Sequence, residues 1–128
     1  MAPDNSDPLH RPIRPEAIAG DIRKFSEYVL VPDHPLGKDR VFLALLGFRP
    51  RSLADGAALL EMYLDRAGEA VERGDYRLGE DLGYGVRCSI IVEVRGVAPV
   101  SGWVLRSDGT LWLATPFSGF AGRRGGQG

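Results

Sequence analysis

The apolar positions change their period once along the chain. Phe25, Tyr28 and Val29 recur at i, i+3 and i+4, with Asp21 placed to cap the start, and predict a short first helix. Val31-Pro32-Asp33-His34-Pro35 must break it, because each proline pushes its predecessor out of the α region and removes an N–H donor. Val41, Phe42, Leu45 and Leu46 predict a second helix that begins near Gly37 or Lys38 and ends at Gly47, a residue suited to the left-handed position after a helix. A third opens at Ser52, with Asp55 three residues on. It carries Leu53, Ala57, Leu60, Leu64, Ala67 and Val71 on one stripe and stops at Gly74.

Beyond Gly83 the period falls to two. Val86, Cys88, Ile90, Val92 and Val94 alternate with Arg87, Ser89, Ile91, Glu93 and Arg95, which predicts one long strand with one buried face. After a turn at Gly96 to Pro99 come Val100 to Arg106 and Leu111 to Phe117, joined through Asp108-Gly109. That dipeptide predicts a two-residue type I′ loop, setting Val104 opposite Leu113, Trp103 opposite Ala114 and Gly102 opposite Thr115. Both faces of this hairpin are apolar, so it belongs at the centre of a sheet or at a partner interface. Tyr76 to Leu78 offers a further short strand. The expected fold class is α+β: about three N-terminal helices followed by an antiparallel sheet of three to four strands.

The chain has 128 residues, 44% of them hydrophobic, enough for one core and one domain, which we place at residues 15–120. Residues 1–14, with Pro3, Pro8 and Pro12 among polar neighbours, read as a flexible arm, and the glycine-rich residues 121–128 around Arg123 and Arg124 as a disordered tail. A single cysteine, Cys88, excludes an internal disulfide and a cysteine-based zinc cluster. No apolar run approaches the roughly 20 residues that cross a bilayer, and the start has no signal-peptide centre. The expectation is therefore a cytoplasmic protein without membrane contact, or one delivered to a target cell inside a larger effector.

A net charge of −1 gives no overall pull toward nucleic acid, but the charge is unevenly spread. Asp55 to Asp81 holds eight acidic residues against Arg66, Arg73 and Arg77, an acidic face for the third helix. Past Asp81 only Glu93 and Asp108 are acidic, against Arg87, Arg95, Arg106, Arg123 and Arg124. Phosphate-binding loops, dinucleotide fingerprints and histidine or cysteine ligand sets are absent, and no cofactor is expected. The histidine outside the arm is His34, where a search for an acid or base at neutral pH begins. It lies four residues before Lys38 at a helix start, where N–H groups and the dipole favour an anion. A base, a cation and a helix start suit a phosphodiester. A capping Asp33 with a solvated Lys38 is the structural alternative.

Lys24-Phe25-x-x-Tyr28-Val29-Leu30-x-Pro32-Asp33-His34-Pro35-x-Gly37-Lys38, then Val41-Phe42 and Leu46-Gly47-Phe48, resembles a family of small bacterial domains of unknown function that occur alone and as C-terminal modules of polymorphic toxins. The likeness extends to Tyr84-Gly85, Trp103 and Leu113-Ala114-Thr115, covering roughly residues 21 to 117, and departs from the family at Arg40-Val41, where alanine usually stands beside the basic residue. It implies a toxin whose helix-then-sheet order is similar to the barnase and colicin-type ribonuclease folds, cleaving RNA without metal through attack by the ribose 2′-OH. On this likeness His34 is the base or acid, Lys38 the phosphate cation, Thr115 a donor to a phosphate oxygen and Arg87 a second cation, with Trp103 and Tyr84 as substrate contacts. RNA and a cognate immunity protein or antitoxin are the implied partners. Two other readings stay open: a non-enzymatic antitoxin, immunity or adaptor protein using the acidic helix, and a homo-oligomer formed through the C-terminal hairpin.

Overall fold

A computed structural model of the chain describes residues 12–32, 37–38 and 40–120. The class is α+β, with one long helix packed on a five-stranded mixed sheet of order β1-β5-β4-β3-β2. The strands are β1 (Ala17–Ala19), β2 (Arg77–Asp81), β3 (Gly85–Ile91), β4 (Pro99–Arg106) and β5 (Thr110–Phe120). The helix, α1 (Leu53–Arg73), sits in mid-chain. The helices-first order is thus corrected by β1, which precedes every helix and runs parallel to β5, Ile18 facing Leu111. Three residues are too few to show a period, so only this pairing makes a strand of them.

The first two expected helices are single π-type segments, Phe25–Val29 and Arg40–Leu45. Their signature is the i→i+5 bond: Leu30 N–H reaches the Phe25 carbonyl at 2.8 Å, and Leu46 N–H the Val41 carbonyl at 2.9 Å. Asp21 accepts the Arg23 N–H at 2.9 Å but does not cap the segment, whose cap position is Lys24 without a side-chain cap bond, and Gly47 has the expected positive φ of 78°. Such segments are rare and concentrate at functional sites. Here they flank Lys38 in sequence.

The limits of α1 match the sequence signals. Ser52 Oγ accepts the Asp55 N–H at 3.0 Å, and Gly74 at φ 76° closes the helix in the left-handed region. Its buried face is rotated from the expected one. Gly56, Leu59, Tyr63, Ala67 and Ala70 are its buried residues, whereas Leu53 is 65% exposed. Two features move the stripe. Gly56 lets the helix approach the first π segment, where an added Cβ would meet Ser26 at 3.3 Å. The Tyr63 hydroxyl is satisfied by the Pro116 carbonyl at 2.8 Å, so a tyrosine can occupy the centre of the interface.

Opposite α1 lie Leu78, Cys88, Ile90, Trp103, Leu111 and Leu113, all buried. Cys88, at 1% exposure, has its thiol pushed up to about 12 by burial and is a core residue. The alternation expected for the long strand continues past β3: Val92 and Val94 are buried, and Ile91, Glu93 and Arg95 are exposed. Ile13, assigned by the sequence to the arm, is also buried, its N–H held by the Tyr76 hydroxyl at 3.0 Å. Residues 1–11 of the arm and the tail 121–128 lie outside the described residues.

Both hairpins turn otherwise than expected, the first at Arg95-Gly96 instead of Gly96 to Pro99. Val94 bridges Val97 across Arg95 and Gly96, whose φ values of 50° and 84° are the paired positive angles of a type I′ loop. At the Asp108-Gly109 hairpin Leu105 pairs with Leu111, and Gly109 N–H bonds the Arg106 carbonyl at 3.0 Å. The loop there has three residues, and Gly109 alone takes a positive φ, of 94°. Register therefore shifts by one from the expectation, to Val104–Trp112 and Trp103–Leu113. A bulge between Gly102 and Trp103 restores the expected Gly102–Thr115 pair. The hairpin strands lie inside the sheet, with β3 on the outer side of β4 and β1 along Thr110–Trp112 of β5. Among the described residues no helix is long and apolar enough to cross a membrane.

Candidate anion site in the middle of β5

β1 covers only the first three residues of β5, and beyond them the chain around the two π segments packs beside the strand. Lys38 reaches across this junction. Its Nζ donates to Thr115 Oγ1 at 3.3 Å and to the Tyr28 hydroxyl at 3.1 Å, and it lies 4.9 Å from the Tyr28 ring centroid. A second ammonium, Lys24, lies 5.9 Å from the same centroid. All four side chains are partly buried.

The local sequence explains each placement. Tyr28 follows Lys24 by four residues across the first π segment, so both fall on one side of it. Gly37, at φ 73°, turns the chain into Lys38. Thr115 is set by the bulge and by what lies on either side of it. Its hydroxyl donates to the Phe117 carbonyl at 3.4 Å, and the next residue, Pro116, is tied to α1 by Tyr63. Gly102 opposite is a geometric requirement, because a Cβ there would come within 2.9 Å of the Thr115 methyl. The room at Gly102 is thus taken by Thr115 itself.

Arg23, Arg49, Arg66, Arg73 and Arg87 each pair with a carboxylate, whereas among the described residues Lys24 and Lys38 form no ion pair, as is also true of Arg14, Arg40, Arg51, Arg77, Arg95 and Arg106. A cation that is half withdrawn from water and solvated by neutral hydroxyls and a ring gains from an anion beside it. The cluster can therefore hold a phosphate, carboxylate or similar group.

The other expected site residues are dispersed or lie elsewhere. His34 lies outside the described residues, as do Asp33 and Pro35. Arg87 occupies the exposed face of β3 and turns toward β2, its Nε 3.3 Å from Glu80. Register puts it two strands from Thr115, roughly 12 Å away at about 4.8 Å per strand and 3.3 Å per residue. Tyr84 is 65% exposed in the turn before β3, at the end of that strand next to Arg106. Trp103 is corrected from substrate contact to core. It is 1% exposed, and its indole N–H donates to Ser101 Oγ at 2.7 Å, which in turn donates to the Ile90 carbonyl at 2.7 Å. No ring face is left for a base.

Sequence reasoning passed over Tyr28 and Lys24. Tyr28 was assigned to a helix face, but the i, i+4 spacing of Lys24 and Tyr28 beside a second lysine was the available signal. Among the described residues no three Asp, Glu, His or Cys side chains gather as a metal site. No protein-family model, curated protein or solved structure matches the chain.

Proposed function

We propose that the protein is a bacterial toxin domain with metal-independent ribonuclease activity, and that the Lys38–Thr115 cluster receives the scissile phosphate. The observation that supports this reading most is the meeting of Lys38 and Thr115, 77 positions apart, at 3.3 Å with no carboxylate in the cluster among the described residues. In this scheme a base, His34, takes the ribose 2′-OH proton, the 2′-oxygen attacks phosphorus, and the 5′-oxygen leaves with a proton from an acid. Lys38 and Lys24 stabilise the charge that builds on the phosphoryl oxygens. Thr115 accepts from Lys38 and aims it, a change from the donor role that the family resemblance implies. Removing one such charge-stabilising contact costs on the order of a hundredfold or more in rate.

Expression in a sensitive bacterial host is expected to arrest growth and fragment RNA, and His34→Ala and Lys38→Ala to relieve both. Normal growth with intact RNA on expression of the unaltered chain rejects the proposal.

One observation favours a second reading, an antitoxin, immunity or adaptor protein. Glu61, Asp65, Glu69 and Glu72 are all exposed along one side of α1, and among the described residues only Glu69 forms an ion pair, with Arg66 at 3.8 Å. An acidic stripe of this kind complements a basic partner. Saturable binding of a basic nuclease by a chain without activity of its own selects it.

A further inference from the structure

The two tryptophans of the sheet lie on opposite faces. Trp103 pairs with Cys88 and Leu113, and that row is buried. Its neighbours on β4 point the other way, because successive strand residues alternate. Val104 pairs with Arg87 and Trp112, and Gly102 pairs with Ser89 and Thr115. Arg106, opposite Gly85, and Arg77, opposite Ser89, belong to the same face. Arg77, Arg87, Ser89 and Arg106 are all exposed, so this face is open on β2, β3 and β4.

Its chemistry suits a nucleic acid strand. Trp112 is part-buried, and the Arg106 guanidinium lies over its ring, 4.9 Å from the centroid. Indole and guanidinium are both planar, and a base of any identity stacks on such planes. The pair is also close to the anion cluster. Val104 and Gly102 are two residues apart on β4, which sets the Trp112 and Thr115 rows about 7 Å apart on one face. A strand with one phosphate at Lys38 can therefore lay a neighbouring base at Trp112. Lys38, Arg77 and Arg106 form no ion pair among the described residues, while Glu80 is taken up by Arg87 and Glu93 lies past the end of β3.

We propose that this face carries a single-stranded RNA, with the base next to the scissile phosphate stacked on the Arg106–Trp112 pair. The choice of RNA and the link to a scissile phosphate rest on the ribonuclease reading. The stacking subsite rests on the face itself.

A short oligoribonucleotide with 2′-O-methyl groups separates binding from cleavage, since a methylated 2′-oxygen does not attack phosphorus. Titrated into the full chain, it should quench tryptophan emission. Trp112→Phe should abolish the quenching and keep the binding, with the buried Trp103 left as an unresponsive background. Trp112→Ala should weaken binding about tenfold, and Arg106→Gln by a smaller factor. Should Trp112→Ala not fold, the emission of the wild type against Trp112→Phe decides alone. A chain that cleaves no RNA but binds this probe through Trp112 keeps the subsite and loses the ribonuclease reading. Binding without quenching, or binding that Trp112→Ala leaves unchanged, overturns the subsite even where the chain cleaves RNA. No binding of the probe also overturns it, as does a homodimer in sedimentation that Trp112→Ala dissolves.

Discussion

The α1–sheet interface, reached at Pro116, and the Lys38–Thr115 cluster lie one residue apart on β5, yet they treat polar groups in opposite ways. In the interface each buried polar atom has a protein partner: Tyr63 gives its proton to Pro116, and Trp103 passes through Ser101 to Ile90. Beyond Pro116 the Lys38 ammonium rests on a ring and two hydroxyls, without a countercharge among the described residues. The first arrangement is closed and stabilises the fold, since an unpaired buried group would cost about 1–3 kcal/mol. The second is open toward an anion. The difference separates residues whose loss should unfold the chain from residues whose loss, on the proposed function, should silence it.

The largest effect should fall in the closed region. Trp103→Ala empties the centre of the sheet and leaves Ser101 without its donor, so unfolding stability should drop by about 3–5 kcal/mol in a denaturant titration. A loss below about 1 kcal/mol would mean that the ring is not the core piece described.

Gly102→Ala crosses the boundary between the two regions. The new methyl meets the Thr115 methyl at 2.9 Å, and the β-branched side chain must turn its hydroxyl away from Lys38. Stability should fall by roughly 1 kcal/mol. Activity on RNA should fall much further than that loss explains.

The smallest effect concerns the acid limb. The Arg49 guanidinium, then the Arg49 backbone N–H, hold the Asp55 carboxyl down from 3.8 to about 2. A carboxyl depressed in the folded state stabilises above its unfolded pKa and loses that contribution as pH falls toward the folded value. Asp55→Asn should therefore melt below the wild type at neutral pH, with the gap closing between about pH 4 and about pH 2. A gap that persists unchanged at pH 2 would assign the effect to something other than the Arg49 pair.

The same boundary marks what the sequence could reveal. Caps such as Ser52 and Gly74 and the alternation from Val86 to Arg95 are local, and they read correctly. The π segments do not, since five residues cannot distinguish an i→i+5 ladder from an α turn. The register of the closing hairpin was misjudged by one at Val104 and correct at Gly102, because a three-residue loop and a bulge cancel there. Lys38 and Thr115 were legible as chemistry, and their meeting required the fold. Tyr28 was hidden because an aromatic residue at helical spacing reads as core.

Titration with inorganic phosphate, followed by the backbone amide resonances of Gly102 and Thr115, tests the central claim most directly. Saturable shifts at these amides are expected in the wild type and should vanish in Lys38→Gln at unchanged stability. Amides that do not move, or that move equally in Lys38→Gln, would contradict an anion site at Lys38 and Thr115.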